Sequence, residues 1–206
     1  MISRMVRSVV FMVVVCAVCT AIPAIVRVAT AHRVAANERM ATHTSVLSVL
    51  NLPFDPKDPG AVEHTFRACV REETIGGRTY WYGLKEPAIG VVAFPVQGPG
   101  FWGPIHGIAA VAESEFAVVG LSFTRHEETP GLGGRIDEPW FTAQFRGVRL
   151  DPFSPTPLVR LVPQGGRVRP NDVDAITGAT ETSRKIQSLF DADMRQALLV
   201  LKDSGQ

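Results

Sequence analysis

The hydrophobic and polar positions divide the chain into stretches of different periodicity, beginning with a long apolar run. Between Arg7 and Arg27 lie 19 residues without a charge. At about 1.5 Å per residue in a helix, this run just crosses the hydrocarbon core of a bilayer. We therefore predict a transmembrane anchor in residues 1–30. A signal peptide cleaved after Ala31 is the alternative, and the long run and the position of Arg27 favour an uncleaved anchor.

After the anchor, residues 31–60 predict a helical extension and a proline-rich linker, and the residues that follow predict an α+β domain. Residues 31–50 lack Gly and Pro and should extend the anchor helix, which stops before Pro53. Residues 182–202 have apolar positions at helical spacing and predict an amphipathic helix. Short apolar runs bounded by Gly, Pro or charges predict strands at residues 80–82, 89–96, 107–112, 117–124 and 140–145. Strands followed by a helix indicate one α+β domain over residues 61–206.

Charge changes this picture little. The formal net charge is +1, and three of the arginines belong to residues 1–30, which leaves the remainder close to neutral. Such a balance argues against a nucleic-acid partner, which usually selects a basic surface. Arginines flank the apolar run on both sides, so the positive-inside rule does not decide which side of the membrane the domain occupies.

Several residues of types that often carry chemistry are interpreted as structural. Cys16 and Cys19 form a CxxC inside the apolar run, where two small side chains in a helix are the simpler interpretation. The remaining cysteine and three histidines show no recognisable metal-ligand spacing: Cys69, His64, His106 and His126. Two tryptophans that could stack on a ring are predicted to be core residues, and two acids to be surface charges: Trp102, Trp140, Glu72 and Glu73.

The first segment with candidate chemistry is Asp174-Ala-Ile-Thr-Gly-Ala-Thr180, directly before the C-terminal helix. Gly178 permits a close approach of another group, and Thr180 lies at the expected helix N-terminus, where free N–H groups and the helix dipole favour a phosphate. Hydroxyl donors are supplied by Thr177, Thr180, Thr182 and Ser183. A Thr/Ser N-cap without any ligand explains the same pattern.

The second segment, His126-Glu-Glu-Thr-Pro-Gly-Leu-Gly-Gly134, follows a predicted strand and should be a loop at the strand end. Glu128, Thr129 and Leu132 supply an acceptor, a hydroxyl and an apolar surface, which suit a planar heterocycle with polar edges. A simple hairpin or crossover loop remains the alternative.

Taken together, these segments resemble the FMN-binding subunits of two related membrane complexes, the sodium-translocating NADH:quinone reductase and the Rnf electron-transport complex. Both families carry an H-x-ETPGLG loop, matched from His126 to Gly133, and a D-x-x-[ST]-GAT motif, matched from Asp174 to Thr180. The Gly98-Pro-Gly-Phe-Trp102 segment and Gly134-Arg135-Ile136 favour the quinone reductase over the Rnf complex.

The resemblance implies that Thr180 carries FMN through a phosphoester bond, made from FAD by a magnesium-dependent flavin transferase. It implies that Thr177, Gly178 and Ala179 surround the attachment point. Glu128, Thr129 and Leu132 would hold the isoalloxazine ring, and Asp174 would belong to the transferase recognition motif or form a turn.

The function implied is electron transfer by covalent FMN in an ion-translocating NADH:quinone or ferredoxin:NAD oxidoreductase. Other membrane subunits would be partners, and the flavin domain would face the periplasm from a single-pass anchor in the bacterial inner membrane. The GxGxxG spacing from Gly98 to Gly103 is followed by a predicted strand and not by the helix of a nicotinamide-binding fingerprint, so NADH is expected to bind another subunit. A sensory or assembly module with the same flavin domain and a secreted binding protein are the alternatives.

Overall fold

A computed structural model describes residues 2–204 and begins with one long helix, α1 (Ile2–Val49). The chain divides into two compact units, one up to Met40 and one from Ala41 onward. In the first unit, the apolar side chains of α1 from Val6 are exposed. The segment from Val6 is long and apolar enough to cross a membrane. The apolar helix and its continuation beyond residue 31 are therefore present as predicted.

The second unit begins with the last turns of α1, where Leu47 and Leu50 are fully buried. A second helix, α2 (Pro59–Cys69), follows the proline-rich turn. It starts where Asp58 Oδ1 accepts a hydrogen bond from the Gly60 N–H at 2.8 Å, with Pro59 as the first helical residue. This helix is absent from the sequence prediction, in which the prolines up to residue 60 indicate a linker; Asp58 and Pro59 start a helix at the end of that linker.

Five antiparallel strands then form a sheet in sequence order. They are β1 (Val70–Ile75), β2 (Arg78–Gly83), β3 (Val91–Pro99), β4 (Pro104–Ala112) and β5 (Val118–Arg125). The β3–β4 hairpin pairs Val91 with Ala112 at one end and Pro99 with Pro104 at the other. Its tip is closed by a hydrogen bond from the Gly100 N–H to the Gly103 carbonyl, 2.8 Å. The tip therefore presents two residues, Phe101 and Trp102.

The segment after β5 contains short helices and a small parallel pair of strands. A 3₁₀ turn (Gly133–Asp137) precedes α3 (Pro139–Ala143), and β6 (Arg160–Val162) pairs with β7 (Asp172–Asp174). The strand predicted at residues 140–145 is wrong. Pro139 starts a helix there, and Phe141 and Phe145, four residues apart, both turn into the core.

The C-terminal helix begins at the DxxTGAT motif and covers the sheet. It comprises α4 (Thr180–Leu189), a π-helical turn (Phe190–Met194) and α5 (Arg195–Ser204). The predicted amphipathic helix is confirmed, with its start two residues earlier. Arg78 and Asp193 form an ion pair of 2.6 Å between β2 and the π-helical turn. The Tyr80 hydroxyl donates to the Ala197 carbonyl at 3.2 Å, so sheet and helix share one core. The α+β class is confirmed.

Candidate functional site

Three segments that are far apart in the chain meet at one place. Glu128 Oε1 accepts the Phe101 N–H at 2.6 Å, and Glu128 Oε2 accepts the Thr182 hydroxyl at 2.6 Å. The Leu132 side chain lies beside Gly178: a Cβ added there would be 3.2 Å from Leu132 Cδ2. The segments are the hairpin tip at residues 100–103, the loop at residues 126–134 and the motif at residues 174–180. The two motifs singled out in the sequence thus form parts of a single site.

The motif at residues 174–180 is shaped by its backbone. Gly178 has φ +80°, a conformation that other residues rarely adopt, and it turns the chain into α4. Ala179 is the N-cap and makes no side-chain capping bond, because alanine carries no acceptor. Thr180 is the first helical residue and is exposed. A helix start that lacks a side-chain cap offers its first N–H groups and the positive end of its dipole to an anion.

The structure separates the four hydroxyls of this segment into two pairs. Thr182 and Ser183 are buried: the Thr182 hydroxyl donates to Glu128, and Ser183 Oγ donates to the Ala179 carbonyl at 2.9 Å. Thr177 and Thr180 are exposed. Both line a cavity of about 280 Å³ between the motif and the β6 segment. The two exposed threonines are therefore the ones that a ligand or a second enzyme can reach.

An ion pair with a buried carboxylate stabilises the strand that leads into the motif. Arg160 on β6 forms two hydrogen bonds to Asp172 on β7, at 2.9 and 2.8 Å. These bonds hold the pKa of the Asp172 carboxyl well below its ordinary value; burial opposes them, and the Val168 and Arg169 N–H groups reinforce them. The carboxylate thus fixes β7, whose last residue, Asp174, is the first residue of the motif.

Asp174, the first residue of the motif and the last residue of β7, bonds to the turn after β6 and does not line the cavity. Its Oδ1 accepts the Gly165 N–H at 3.3 Å, and its Oδ2 accepts Arg167 at 2.8 Å. Pro163 and Gln164, on the same turn, do line the cavity. The turn-forming role considered for Asp174 therefore has a direct geometric basis.

The strand-end loop presents different groups on its two sides. Glu128 is 4% exposed and faces inward, whereas Leu132 is 46% exposed. The Thr129 carbonyl accepts the N–H groups of Leu132 and Gly134, at 3.1 and 2.9 Å, which curls the loop into the 3₁₀ turn. His126 Nδ1 accepts the Glu128 N–H at 3.2 Å, so this histidine has a structural role in the loop.

The aromatic residues near the site differ from the sequence prediction. Trp102 is 65% exposed and Trp140 is 39% exposed, so the assignment of both to the core is wrong. Phe101, next to Trp102 at the hairpin tip, is 52% exposed. The tip projects beyond the paired strands, and its two aromatic side chains have no strand opposite them to bury them. Trp102 Nε1 donates to Thr129 Oγ1 at 3.0 Å, which places the indole against the loop.

Residues 100–192 match the model of the FMN-binding domain. The match begins at the hairpin tip and includes the loop and the motif. This part of the chain is therefore similar to FMN-binding domains. A stretch of 105 residues is 35% identical to a Na(+)-translocating NADH-quinone reductase subunit of Vibrio vulnificus (strain YJ016), covering 50% of this chain and 41% of that protein. The same subunit of Yersinia pestis is 37% identical over 105 residues, 50% of this chain and 39% of that protein.

The solved structures agree with these relatives in fold. The crystal structure of the corresponding Na(+)-translocating NADH-quinone reductase subunit from Parabacteroides distasonis superimposes with a TM-score of 0.68 at 21% identity, covering 80% of this chain and 93% of that chain. Shewanella oneidensis NqrC gives a TM-score of 0.67 at 18% identity, with 82% of this chain and 99% of that chain covered. The resemblance to the quinone reductase subunit is thereby confirmed.

The similarity in sequence is confined to part of each relative. The aligned stretch spans about two fifths of the length of the curated relatives. The similarity of this stretch therefore does not establish the activity or the partners of the whole relatives for this chain.

The contribution of the Phe101–Trp102 tip is absent from the sequence prediction. Its glycines and prolines, GPGFWGP, predict a tight turn with two aromatic residues at its apex. Aromatic residues at the apex of a turn have few neighbours, and this is the signal in the sequence that indicates their exposure.

Proposed function

We propose that this protein is an electron-transfer subunit that carries FMN covalently on Thr180. The observation that supports the proposal most directly is the placement of Thr180. Thr180 is exposed at the first residue of a helix without a side-chain cap, two residues after the left-handed Gly178. A phosphate on its hydroxyl oxygen would lie at the helix N-terminus, where the dipole and the free N–H groups stabilise negative charge. The hydroxyls of Thr182 and Ser183 are already used inside the domain.

Attachment would follow the chemistry implied by the resemblance. A magnesium-dependent flavin transferase would join the Thr180 oxygen to the flavin phosphate of FAD, with loss of the hydroxyl proton and release of AMP. Such an enzyme needs access to the acceptor. Thr177, Gly178 and Thr180 are all exposed along the cavity of about 280 Å³, which provides that access.

The residues opposite the motif fit the other end of the cofactor. Leu132 is exposed beside Gly178, and Thr129 and Trp102 are hydrogen-bonded to each other on the same side of the site. An apolar side chain, a hydroxyl and an exposed indole provide the surfaces that a flat heterocycle requires. The flavin supplies the one-electron chemistry, and the protein binds it, orients it and adjusts its potential.

We propose further that the chain acts within a sodium-translocating NADH:quinone reductase of the bacterial inner membrane, with other membrane subunits as partners. The relatives that are subunits of such a reductase support this membership; an Rnf complex is the alternative within the same chemistry. NADH would bind another subunit. The exposed apolar part of α1 would be the anchor, with the FMN domain on the periplasmic side.

Intact-mass measurement after expression with a flavin transferase tests the attachment. The parent chain should gain the mass of one FMN moiety, and Thr180→Val should gain none while keeping its thermal midpoint. Thr177→Ser is the matched control, since it alters an exposed threonine of the same cavity within the Ser/Thr choice of the motif. It should still be labelled. A labelled Thr180→Val protein would overturn the assignment.

Protease treatment of spheroplasts tests the anchor and its orientation. Added protease should digest the chain after about residue 50, where the domain leaves the helix, and should leave a membrane-bound N-terminal fragment. Digestion only after lysis would place the domain in the cytoplasm. Release of the whole chain from the membrane would contradict the anchor.

A further inference from the structure

Glu128 is a buried carboxylate that bonds to two other segments of the site. Its Oε1 accepts the Phe101 N–H at 2.6 Å and the Trp102 N–H at 3.3 Å, while its Oε2 accepts the Thr182 hydroxyl at 2.6 Å. Thr182 lies in the first turn of the helix that starts at Thr180. One side chain therefore joins the aromatic hairpin tip to the attachment helix.

The neighbouring backbone is built closely around this carboxylate. A Cβ added to Gly133 would lie 2.7 Å from Glu128 Oε2 and 2.4 Å from Thr182 Oγ1. A Cβ added to Gly100 would lie 2.5 Å from Glu128 Oε1. These distances are shorter than a Cβ atom can approach a non-bonded atom. Both positions therefore need glycine if the three segments are to contact the carboxylate together. Since a buried acceptor that loses its donors costs free energy, the closed arrangement is the stable one.

The oxygens of Glu128 thus already have donors within the protein, and its side chain is 4% exposed. Other groups of the same segments are left on the surface. They are the aromatic rings of Phe101 and Trp102, which are 52% and 65% exposed, and the Leu132 side chain. Thr129 adds a second restraint, because its Oγ1 accepts the Trp102 indole N–H at 3.0 Å.

We propose that Glu128 is a positioning residue: through the hairpin tip it sets Trp102 as a second wall of the ring site, at a fixed place relative to Thr180. Leu132 would form the wall on the motif side. The ring would contact the indole and the leucine, and Glu128 would act only through them. This inference rests on the proposed function for the presence of the ring, but the coupling of Glu128 to Trp102 does not.

The coupling is measured first in the protein without flavin. The chain has three tryptophans, so ¹⁵N-labelled protein gives three indole signals, and Trp102→Phe identifies the relevant one. Glu128→Gln and Thr182→Val should shift the Trp102 indole signal and speed its hydrogen exchange. Thr182→Ser keeps the hydroxyl and should restore the parent signal. Glu115→Gln removes the same charge from an exposed glutamate beyond the opposite end of β4 and should leave the signal in place.

The flavin-loaded protein then tests the consequence for the ring. Glu128→Gln should be labelled on Thr180 like the parent, but its visible circular dichroism should fall by at least half, as in Trp102→Phe. Glu115→Gln should match the parent. Thr182→Val provides a gentler test if Glu128→Gln folds poorly. A parent-like indole signal in Glu128→Gln and Thr182→Val, or parent-like dichroism in labelled Glu128→Gln, would overturn the proposal. If the parent carries no flavin, the proposed function fails, and the indole signals still decide the coupling.

Discussion

The two ends of the proposed flavin site, the attachment end and the ring end, are built in different ways. The attachment end depends on backbone: Gly178 has φ +80°, and Thr180 begins a helix that has no side-chain cap. The ring end depends on side chains, with Glu128 and Thr129 bonded to the hairpin tip. Backbone conformation is a property of a few consecutive residues, whereas the ring end needs contacts between residues about 27 positions apart. Changes at the attachment end should therefore affect whether flavin attaches, and changes at the ring end should affect the reduction potential of the attached flavin.

The largest effect is expected from Gly178→Val, at the attachment end. A β-branched residue at φ +80° costs on the order of 1–3 kcal/mol, and its Cβ would lie 3.2 Å from Leu132 Cδ2. Covalent labelling should fall at least tenfold in an in-gel flavin fluorescence assay. Gly147→Val is the control: Gly147 has φ +77° with nothing within 4 Å of an added Cβ. It should lose stability and keep labelling. Equal labelling of the Gly178 and Gly147 variants would show that Gly178 serves only the loop's general shape.

An intermediate effect is expected from Asp172→Asn, beneath the attachment end. The Arg160 pair lowers the folded-state pKa of Asp172, so its stabilisation is fully present above the ordinary value of 3.8 and is lost as pH falls through the folded-state pKa. At pH 7 the variant should unfold several degrees below the parent, and this gap should narrow in strong acid.

The exposed pair of Glu115 and Arg149, with an N···O distance of 2.6 Å, supplies the control for this prediction. Glu115→Gln should change the thermal midpoint little, because exposed ion pairs contribute on the order of 0–1 kcal/mol. The Asp172→Asn protein that remains folded should carry flavin with the parent potential. A shifted flavin potential in Asp172→Asn would mean that a change at the attachment end also alters the ring end.

The smallest effect is expected from Thr129→Val, at the ring end. The change removes the acceptor of the Trp102 indole, a hydrogen bond that contributes about 0.5–1.5 kcal/mol. Labelling should be unchanged, and the reduction potential of the bound flavin should shift by less than about 59 mV, which corresponds to a tenfold change for a one-electron step.

Thr129→Val combined with Glu128→Gln sharpens this prediction. Both residues hold the same hairpin tip, so the two shifts in potential should not add. Two additive shifts would indicate separate contacts with the ring. A double variant that is labelled and titrates like the parent would remove this loop from the flavin site.

Local features of the fold are readable from the sequence because their causes lie in neighbouring residues. A charge-free run of 19 residues is sufficient for a membrane-spanning helix, and apolar residues at helical spacing are sufficient for the C-terminal helix. Two α-helices, α2 and α3, escape the sequence prediction although local signals exist. Asp58-Pro59 and Glu138-Pro139 both begin helices, and proline argues against a helix only when it lies beyond the first turn.

The sequence by itself determined the apolar helix, the α+β class, the order of the motifs and the position of Thr180 at a helix start. Tertiary structure decided which hydroxyls are exposed, that Glu128 faces inward, and that Trp102 lies on the surface. The physical reason is that burial and hydrogen-bond partners depend on segments brought together from across the chain. Glu128 and Thr182, 54 residues apart, become neighbours only when the C-terminal helix packs on the sheet.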